Sequence, residues 1–320
     1  MRAVTIEDRK VAIRKHADPV PEPDDLLVRV RAAGLNGADL HQVAGHYPAP
    51  PGSPQDIPGL ELAGEVAEVG PRVTRFGRGD RVMALVGGGG QAELALIHER
   101  VAMPVPEAMS WAEAGGFPEA FITAHDALFT QCGLAMGERV LVHGAAGGVG
   151  TAAVQMAVVA GARVTATVRD RGHHQDVAAL GAERLFTPEE LDDLKGEERF
   201  DVILELVGAP NFPRNFELLE TGGRISIIGT GAGTRTELDL RILMSRRAKL
   251  VGSTLRSRPL EQKADATRRV EAHVLPAVAA GRIRVPITAT YPLDAVDQAY
   301  ERFKAGHKFG KIVLVSEGAE

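Results

Sequence analysis

The 320 residues include one cysteine, Cys132. A single thiol excludes a disulfide within the chain and a thiolate-rich metal site. Long apolar runs are missing too. Nowhere do the roughly 20 unbroken apolar residues occur that a helix needs to cross a bilayer, so no membrane segment is expected. The opening Met1-Arg2-Ala3-Val4-Thr5-Ile6-Glu7-Asp8 lacks the apolar core of a secretory signal, and the expected compartment is the cytoplasm. Charge of one sign is never concentrated: the net charge is −5, without a block of like charge, which argues against a nucleic-acid surface. No Gly-x-Ser-x-Gly run marks a nucleophile elbow, so a hydrolase of the α/β type is not expected. Internal repeats and low-complexity tracts are absent as well.

What is present is an ordinary globular composition, 44% hydrophobic, with length enough for two domains. Up to about residue 120, strand-like runs such as Leu26–Ala32, Leu62–Gly70 and Asp80–Val86 are closely punctuated by Pro and Gly, as in a small barrel. From about residue 123 strands and helices alternate. Strands are expected at 139–143, 162–168, 200–206, 224–228 and 249–255, with helices at 149–160, 171–180, 213–220 and 239–247. Repeated βα units with apolar strands imply a parallel sheet covered on both faces. After residue 257 a helix is expected to about residue 280, kinked or restarted at Pro276, and Lys311–Val315 reads as a last strand.

The strand at 139–143 runs straight into Gly144-Ala145-Ala146-Gly147-Gly148-Val149-Gly150 and then into a helix-like run. This is how a dinucleotide site looks in sequence. The backbone must pass close to a pyrophosphate, so side chains at the turn are absent or small, and the unpaired N–H groups at the helix start meet the negative charge. In the pattern G-x-G-x-x-G the key positions are Ala145, Gly147 and Gly150, with alanine replacing the first glycine. The next strand ends Thr167-Val168-Arg169-Asp170-Arg171. An NAD enzyme places an acid there for the ribose hydroxyls, whereas Arg169 and Arg171 suit a 2′-phosphate. Asp170 favours NAD if it points inward, but the two guanidiniums make NADPH the expected cofactor.

Further segments carry a resemblance. Gly34-Leu35-Asn36-Gly37-Ala38-Asp39-Leu40-His41, Gly45-His46-Tyr47-Pro48, Gly59-Leu60-Glu61, Pro118–Ala124, Ser253–Arg258 and Gly310–Leu314 follow one another in order. Together they resemble the medium-chain dehydrogenase/reductase family in its zinc-free quinone oxidoreductase branch, and within it the tumour-suppressor-inducible NADPH:quinone reductase type. The resemblance implies an α/β fold, a Rossmann doubly wound parallel sheet plus a GroES-like β-rich catalytic domain. Residues 1–122 and 257–320 would form the catalytic domain and 123–256 the dinucleotide-binding domain, with the cofactor in the cleft at the carboxyl ends of the strands.

Zinc-dependent relatives carry Cys and His where this chain has Asn36 and Leu60, and neither an amide nor an alkyl group replaces those ligands well. Their four-cysteine lobe is reduced to a link containing Gly87-Gly88-Gly89-Gly90. Asp39 and Glu61, with no metal to serve, would hold loops by hydrogen bonds. Asp39 nonetheless joins Asn36 and Tyr47 among the catalytic candidates. By resemblance Tyr47 stands beside the nicotinamide, where its phenol would orient a ligand or donate to a developing oxyanion, unless it is a packing aromatic. Asn36 would bond the nicotinamide ribose or the substrate carbonyl, or brace a loop. Thr123 would touch the carboxamide, or cap or pack a helix. Gly148 and Val149 complete the pyrophosphate turn, Gly229 would let backbone approach the nicotinamide, and Leu255, with Arg256 and Ser257, would line the cleft. Lys311 would reach toward the cofactor, or else be solvated. Phe186-Thr187-Pro188 stands where many relatives place a cofactor-contacting tyrosine, so that contact does not carry over. Cys132 has no nearby base and reads as structural.

Alcohol oxidation needs a Lewis acid or base to stabilise an alkoxide. A quinone or conjugated carbonyl accepts hydride with less help, because its negative charge is delocalised. The expectation is therefore NADPH-dependent quinone reduction. The alternatives are an enoyl-type reductase of α,β-unsaturated carbonyls and a non-enzymatic NADPH-binding sensor. A strand at the sheet edge, 249–255, would pair across a two-fold axis, so a homodimer is expected.

Overall fold

The computed structural model describes residues 1–191, 199–316 and 318. It contains two compact units, Met1–Ile122 with Leu255–Glu320, and Thr123–Thr254. The first unit opens with an antiparallel hairpin, β1 (Arg2–Glu7) and β2 (Lys10–Lys15). Its two turn residues, Asp8 and Arg9, have φ of 47° and 61°, the left-handed pair that a tight two-residue hairpin demands. There follow β3 (Asp25–Gly34), α1 (Gly37–Val43), β4 (Glu61–Val69), β5 (Arg81–Leu85), β6 (Leu94–His98), β7 (Ala102–Pro104), α2 (Trp111–Gly115) and α3 (Pro118–His125), in which the chain passes into the second unit.

A π-helical turn, Asp126–Gln131, continues from α3. Then come β8 (Arg139–Val142), α4 (Gly148–Val159), β9 (Arg163–Thr167), α5 (His174–Ala178), β10 (Arg184–Phe186), β11 (Phe200–Glu205), α6 (Phe212–Leu218), β12 (Leu219–Ile227), α7 (Leu240–Arg246) and β13 (Lys249–Gly252). All six strands pair in parallel, in the order β10-β9-β8-β11-β12-β13. The order reverses between β8 and β11, which is the switch point of a doubly wound Rossmann sheet. Leu141, Ile203 and Ile225 of three adjacent strands pack with Phe212 and Phe216 of α6 in its core.

Back in the first unit, α8 (Leu260–His273) stops at Val274, and α9 (Leu275–Ala279) restarts with Pro276 in its first turn, where a missing N–H costs nothing. The chain ends with β14 (Ile287–Pro292), α10 (Val296–Lys304) and β15 (Lys311–Val315). β15 lies antiparallel to β3, completing a seven-stranded sheet ordered β14-β15-β3-β4-β5-β7, with β6 also on β3. One core lies within the barrel-like strands around Leu26, Leu62 and Ile97, another under α10 around Leu35, Tyr300 and Ile312.

Three elements differ from expectation. β12 begins at Leu219 rather than 224, because Gly222, at φ +82°, sits in an irregular register inside the strand instead of ending it. β13 ends at Gly252, short of 255. The helix expected at 171–180 is a 3-10 turn, Arg171–His173, capped by the Asp170 side chain, followed by the short α5. Among the described residues no helix is long and apolar enough to cross a membrane.

Candidate active site

In the second unit the glycines of the turn have distinct physical reasons. Gly144 adopts φ +67°, which only glycine holds without strain. A Cβ on Gly150 would lie 2.5 Å from the Gly144 carbonyl oxygen and 2.6 Å from the Ala145 Cα, so α4 packs onto the turn only with glycine there. Ala145 is fully buried and donates its N–H to the Thr167 carbonyl at 2.9 Å. Gly147 is different. Its backbone is ordinary extended (φ −76°, ψ 168°), and the nearest atom to a Cβ there would be 3.6 Å away. Among the described residues no atom closer than 3.6 Å to such a Cβ would require glycine at 147. Gly147 precedes α4, which has no side-chain cap, and Gly148 and Val149 form its half-buried first turn. That N-terminus keeps its donors for an anion.

At the end of β9, Arg169 is exposed. Asp170 accepts from the Gly172 N–H at 2.8 Å, so one carboxylate oxygen is turned to its own backbone. Arg171 pairs with Glu190. Glu190 is placed by Thr187, whose N–H it accepts at 2.8 Å while its own N–H donates to the Thr187 hydroxyl at 3.3 Å.

Beneath these segments lies a buried polar line that the sequence reading missed. The Thr167 hydroxyl lies 3.1 Å from His143 Nδ1, His143 Nε2 lies 2.7 Å from the Asn215 carbonyl oxygen, and the Asn215 amide donates to Glu205 at 2.7 Å. The other Glu205 oxygen accepts from the N–H groups of Val207 and Gly208, both at 2.8 Å, and from Asn211. Because Asn215 donates toward Glu205, its oxygen must accept, so His143 carries its proton on Nε2 and takes the Thr167 proton on Nδ1. Burial holds the His143 pKa below the usual histidine value, against the pull of Glu205 3.9 Å away. The visible signal was a lone carboxylate and a lone imidazole in otherwise apolar strands.

A Cβ on Gly229 would lie 2.1 Å from the Leu206 carbonyl oxygen, so glycine there lets the ends of β11 and β12 close up. Thr123 is buried in the last turn of α3, so it is not a helix N-cap.

In the first unit Asn36, Asp39, Glu61 and Lys311 come together, but they serve one another. Asn36 donates to Glu61 at 2.9 Å and to the Gly34 carbonyl at 3.3 Å, and accepts from the Lys311 ammonium at 2.7 Å. Lys311 also meets Glu61 at 2.6 Å and donates to the Leu35 carbonyl at 2.9 Å. Asp39 accepts from the backbone N–H groups of Asn36 at 2.8 Å and Gly59 at 3.2 Å, and from Gln91, whose oxygen accepts the Tyr300 hydroxyl at 2.9 Å. Burial pushes the Asp39 carboxyl up to about 7, although hydrogen bonds and the Lys311 charge oppose it. The polar atoms of Asn36 and Asp39 are thus engaged by α1 and its neighbours. Lys311 is buried, not solvated.

These residues do not fit a zinc ion. The oxygens of Asn36 and Glu61 already hold an ammonium, and among the described residues no three His, Cys, Asp or Glu gather to hold a metal.

Tyr47 lies in the loop after α1. Arg256 is buried and donates to the carbonyls of Tyr47 (2.9 Å) and Gly87 (2.8 Å) and to the Gln42 side chain (2.5 Å). Its guanidinium also lies 4.9 Å from the centre of the Tyr47 ring. Gly87 is needed because a Cβ there would meet the Ser53 hydroxyl at 2.2 Å. Leu255, next to Arg256, is buried as well. The half-buried Tyr47 hydroxyl has no hydrogen-bond partner among the described residues. Burial raises its pKa further above neutrality, so it is a proton-bearing donor.

One unit is a Rossmann sheet with an anion-ready glycine turn and the other is a β-rich unit with a half-buried phenol, a combination of parts that fits a nucleotide-dependent oxidoreductase. Residues 22–107 match the alcohol dehydrogenase GroES-like domain and residues 148–271 the zinc-binding dehydrogenase domain. The chain is 33% identical to a quinone oxidoreductase of Lama guanicoe, covering 93% of this chain and 91% of that one. It is 30% identical to an acryloyl-coenzyme A reductase of Metallosphaera sedula, covering 99% and 100%. An alcohol dehydrogenase superfamily protein from Novosphingobium aromaticivorans superimposes with a TM-score of 0.87 at 29% identity, covering 99% of this chain and 100% of that one. The chain belongs to the medium-chain dehydrogenase/reductase family, in its quinone oxidoreductase branch.

Proposed function

We propose that the chain is an NADPH-dependent, zinc-independent quinone oxidoreductase, working as a cytoplasmic homodimer. When bound, the reduced nicotinamide supplies a hydride to the conjugated acceptor. The uncapped start of α4, with the space at Gly147, receives the pyrophosphate. Arg169 and Arg171 hold the 2′-phosphate. Tyr47 donates a hydrogen bond to the acceptor oxygen as charge builds on it, while Arg256 holds the loop that presents the phenol.

The observation that carries this reading is the partnerless Tyr47 hydroxyl, next to a frame whose other candidate groups are consumed internally. The test is NADPH oxidation at 340 nm with a panel of quinones and simple enones, NADH in parallel, on wild type and Tyr47→Phe. Quinone turnover with NADPH that falls on the order of a hundredfold in the variant, with cofactor binding intact, supports the reading. Tight NADPH binding without quinone turnover sinks it. Turnover of enones instead favours the enoyl-type reading, which the likeness to an acryloyl-coenzyme A reductase supports.

One edge of the second unit supports the dimer. β13 ends the six-stranded sheet, and the preceding α7 exposes Leu240 (63%) and Met244 (75%). Light scattering on the purified chain is expected to give twice the mass of 34.0 kDa.

A further inference from the structure

The ion pair between Arg171 and Glu190 has a place in cofactor choice, and this step rests on the NADPH reading above. β10 lies beside β9 with Phe186 opposite Thr167, and the Val168 N–H donates to the Phe186 carbonyl at 3.0 Å. The segments following these two strands are therefore neighbours, and Thr187–Glu190 runs alongside Arg169–Arg171. Thr187 and Glu190 cap each other reciprocally, which fixes the Glu190 carboxylate on its turn. One oxygen is used there. The other reaches Arg171, which is 70% exposed, so the pair is accessible to a ligand. Asp170 has one oxygen on the Gly172 N–H.

We propose that Glu190 is a specificity-determining residue: its carboxylate occupies the Arg171 guanidinium in the cofactor-free protein, and a ribose 2′-phosphate must displace it to bind. A dinucleotide without that phosphate leaves the pair in place. Glu190 thus acts as an internal competitor that narrows the gap between NADPH and NADH.

The experiment is binding, not turnover, on the full chain. NADPH and NADH affinities are read from nicotinamide fluorescence and 2′,5′-ADP affinity from calorimetry, for wild type, Glu190→Gln and Arg171→Ala. Glutamine keeps an oxygen for the Thr187 N–H but carries no charge. Glu190→Gln is expected to tighten NADPH and 2′,5′-ADP about two- to fivefold, the range an exposed ion pair is worth, and to leave NADH unchanged. The gain is expected to shrink at high salt. If Arg171→Ala leaves the NADPH to NADH affinity ratio as in wild type, the phosphate reading of this arginine falls and the competitor with it. If Arg171→Ala lowers the ratio but Glu190→Gln does not raise it, or weakens both cofactors alike, only the competitor role is overturned.

Discussion

The two units bury polar groups in different ways. In the first, a cation and two carboxyls from distant parts of the chain knot together around Lys311, and the knot closes on itself. In the second, Thr167, His143, Asn215 and Glu205 form a line without a cation, under the carboxyl ends of the strands. The closed knot leaves one side chain, Tyr47, as the unspent group of its unit's catalytic candidates. The line supports a rim where the unspent groups are backbone N–H groups at the start of α4. On the proposed reading, one unit would offer side-chain chemistry and the other a backbone cradle.

The largest effect is expected from opening the knot. Lys311→Met leaves the fully buried Glu61 beside an apolar chain and is expected to cost about 3–5 kcal/mol in urea denaturation. A loss under about 1 kcal/mol would mean the knot is not closed in solution.

The line is expected to behave otherwise, because it can reverse. In Glu205→Gln the new amide donates to the Asn215 oxygen, the Asn215 amide then donates to His143 Nε2, and Nδ1–H donates to Thr167. The Thr167 hydroxyl proton loses its acceptor and Val207 and Gly208 face a neutral one, so the cost is about 1–3 kcal/mol. Nitrogen NMR of His143 should show the proton moving from Nε2 to Nδ1. An unchanged tautomer would refute the directed line.

A third test uses pH. The buried Asp39 carboxyl sits at about 7 in the folded chain against an ordinary value of 3.8. Between these values the folded state holds a proton that the unfolded chain releases. The contribution of Asp39 to stability is therefore full below pH 3.8 and is lost as pH rises through about 7. The stability of wild type minus that of Asp39→Asn is expected to fall from pH 5 to pH 8. A flat difference would show the carboxyl to be ionised throughout.

The smallest effect on the fold comes from Gly147→Ala, which meets no atom closer than 3.6 Å. Stability is expected to fall by no more than about 1 kcal/mol, the difference between glycine and alanine at a helix N-cap, while NADPH binding weakens at least tenfold. Equal binding would mean that the space at 147 is not used.

Much of the fold was legible in the sequence because apolar runs and glycine turns are local signals. The alternation after residue 123 and the restart at Pro276 needed no long-range information. β12 starts earlier than expected because Leu219 already pairs with Phe200 of β11, and the glycine-containing stretch before Arg224 is bridged by a register shift that no local signal reveals. The site was legible as positions more than as roles. Asn36, Asp39 and Lys311 stand in recognisable motifs, yet their partners Glu61, Gln91 and Tyr300 are scattered along the chain, and no periodicity reveals that they meet. Thr187 stands out in the sequence as a departure from a pattern, but its hold on Glu190 depends on the fold of the turn after β10.

Lys311 also sets a timetable. Some 250 residues separate it from Glu61, and a ribosome adds roughly 5–20 residues each second. The nascent first unit therefore carries Glu61 for on the order of ten seconds or more without its cation, and without β15 beside β3. All of β8 to β13 is synthesised in that interval. The chain thus completes its second unit while its first still waits for the last strand.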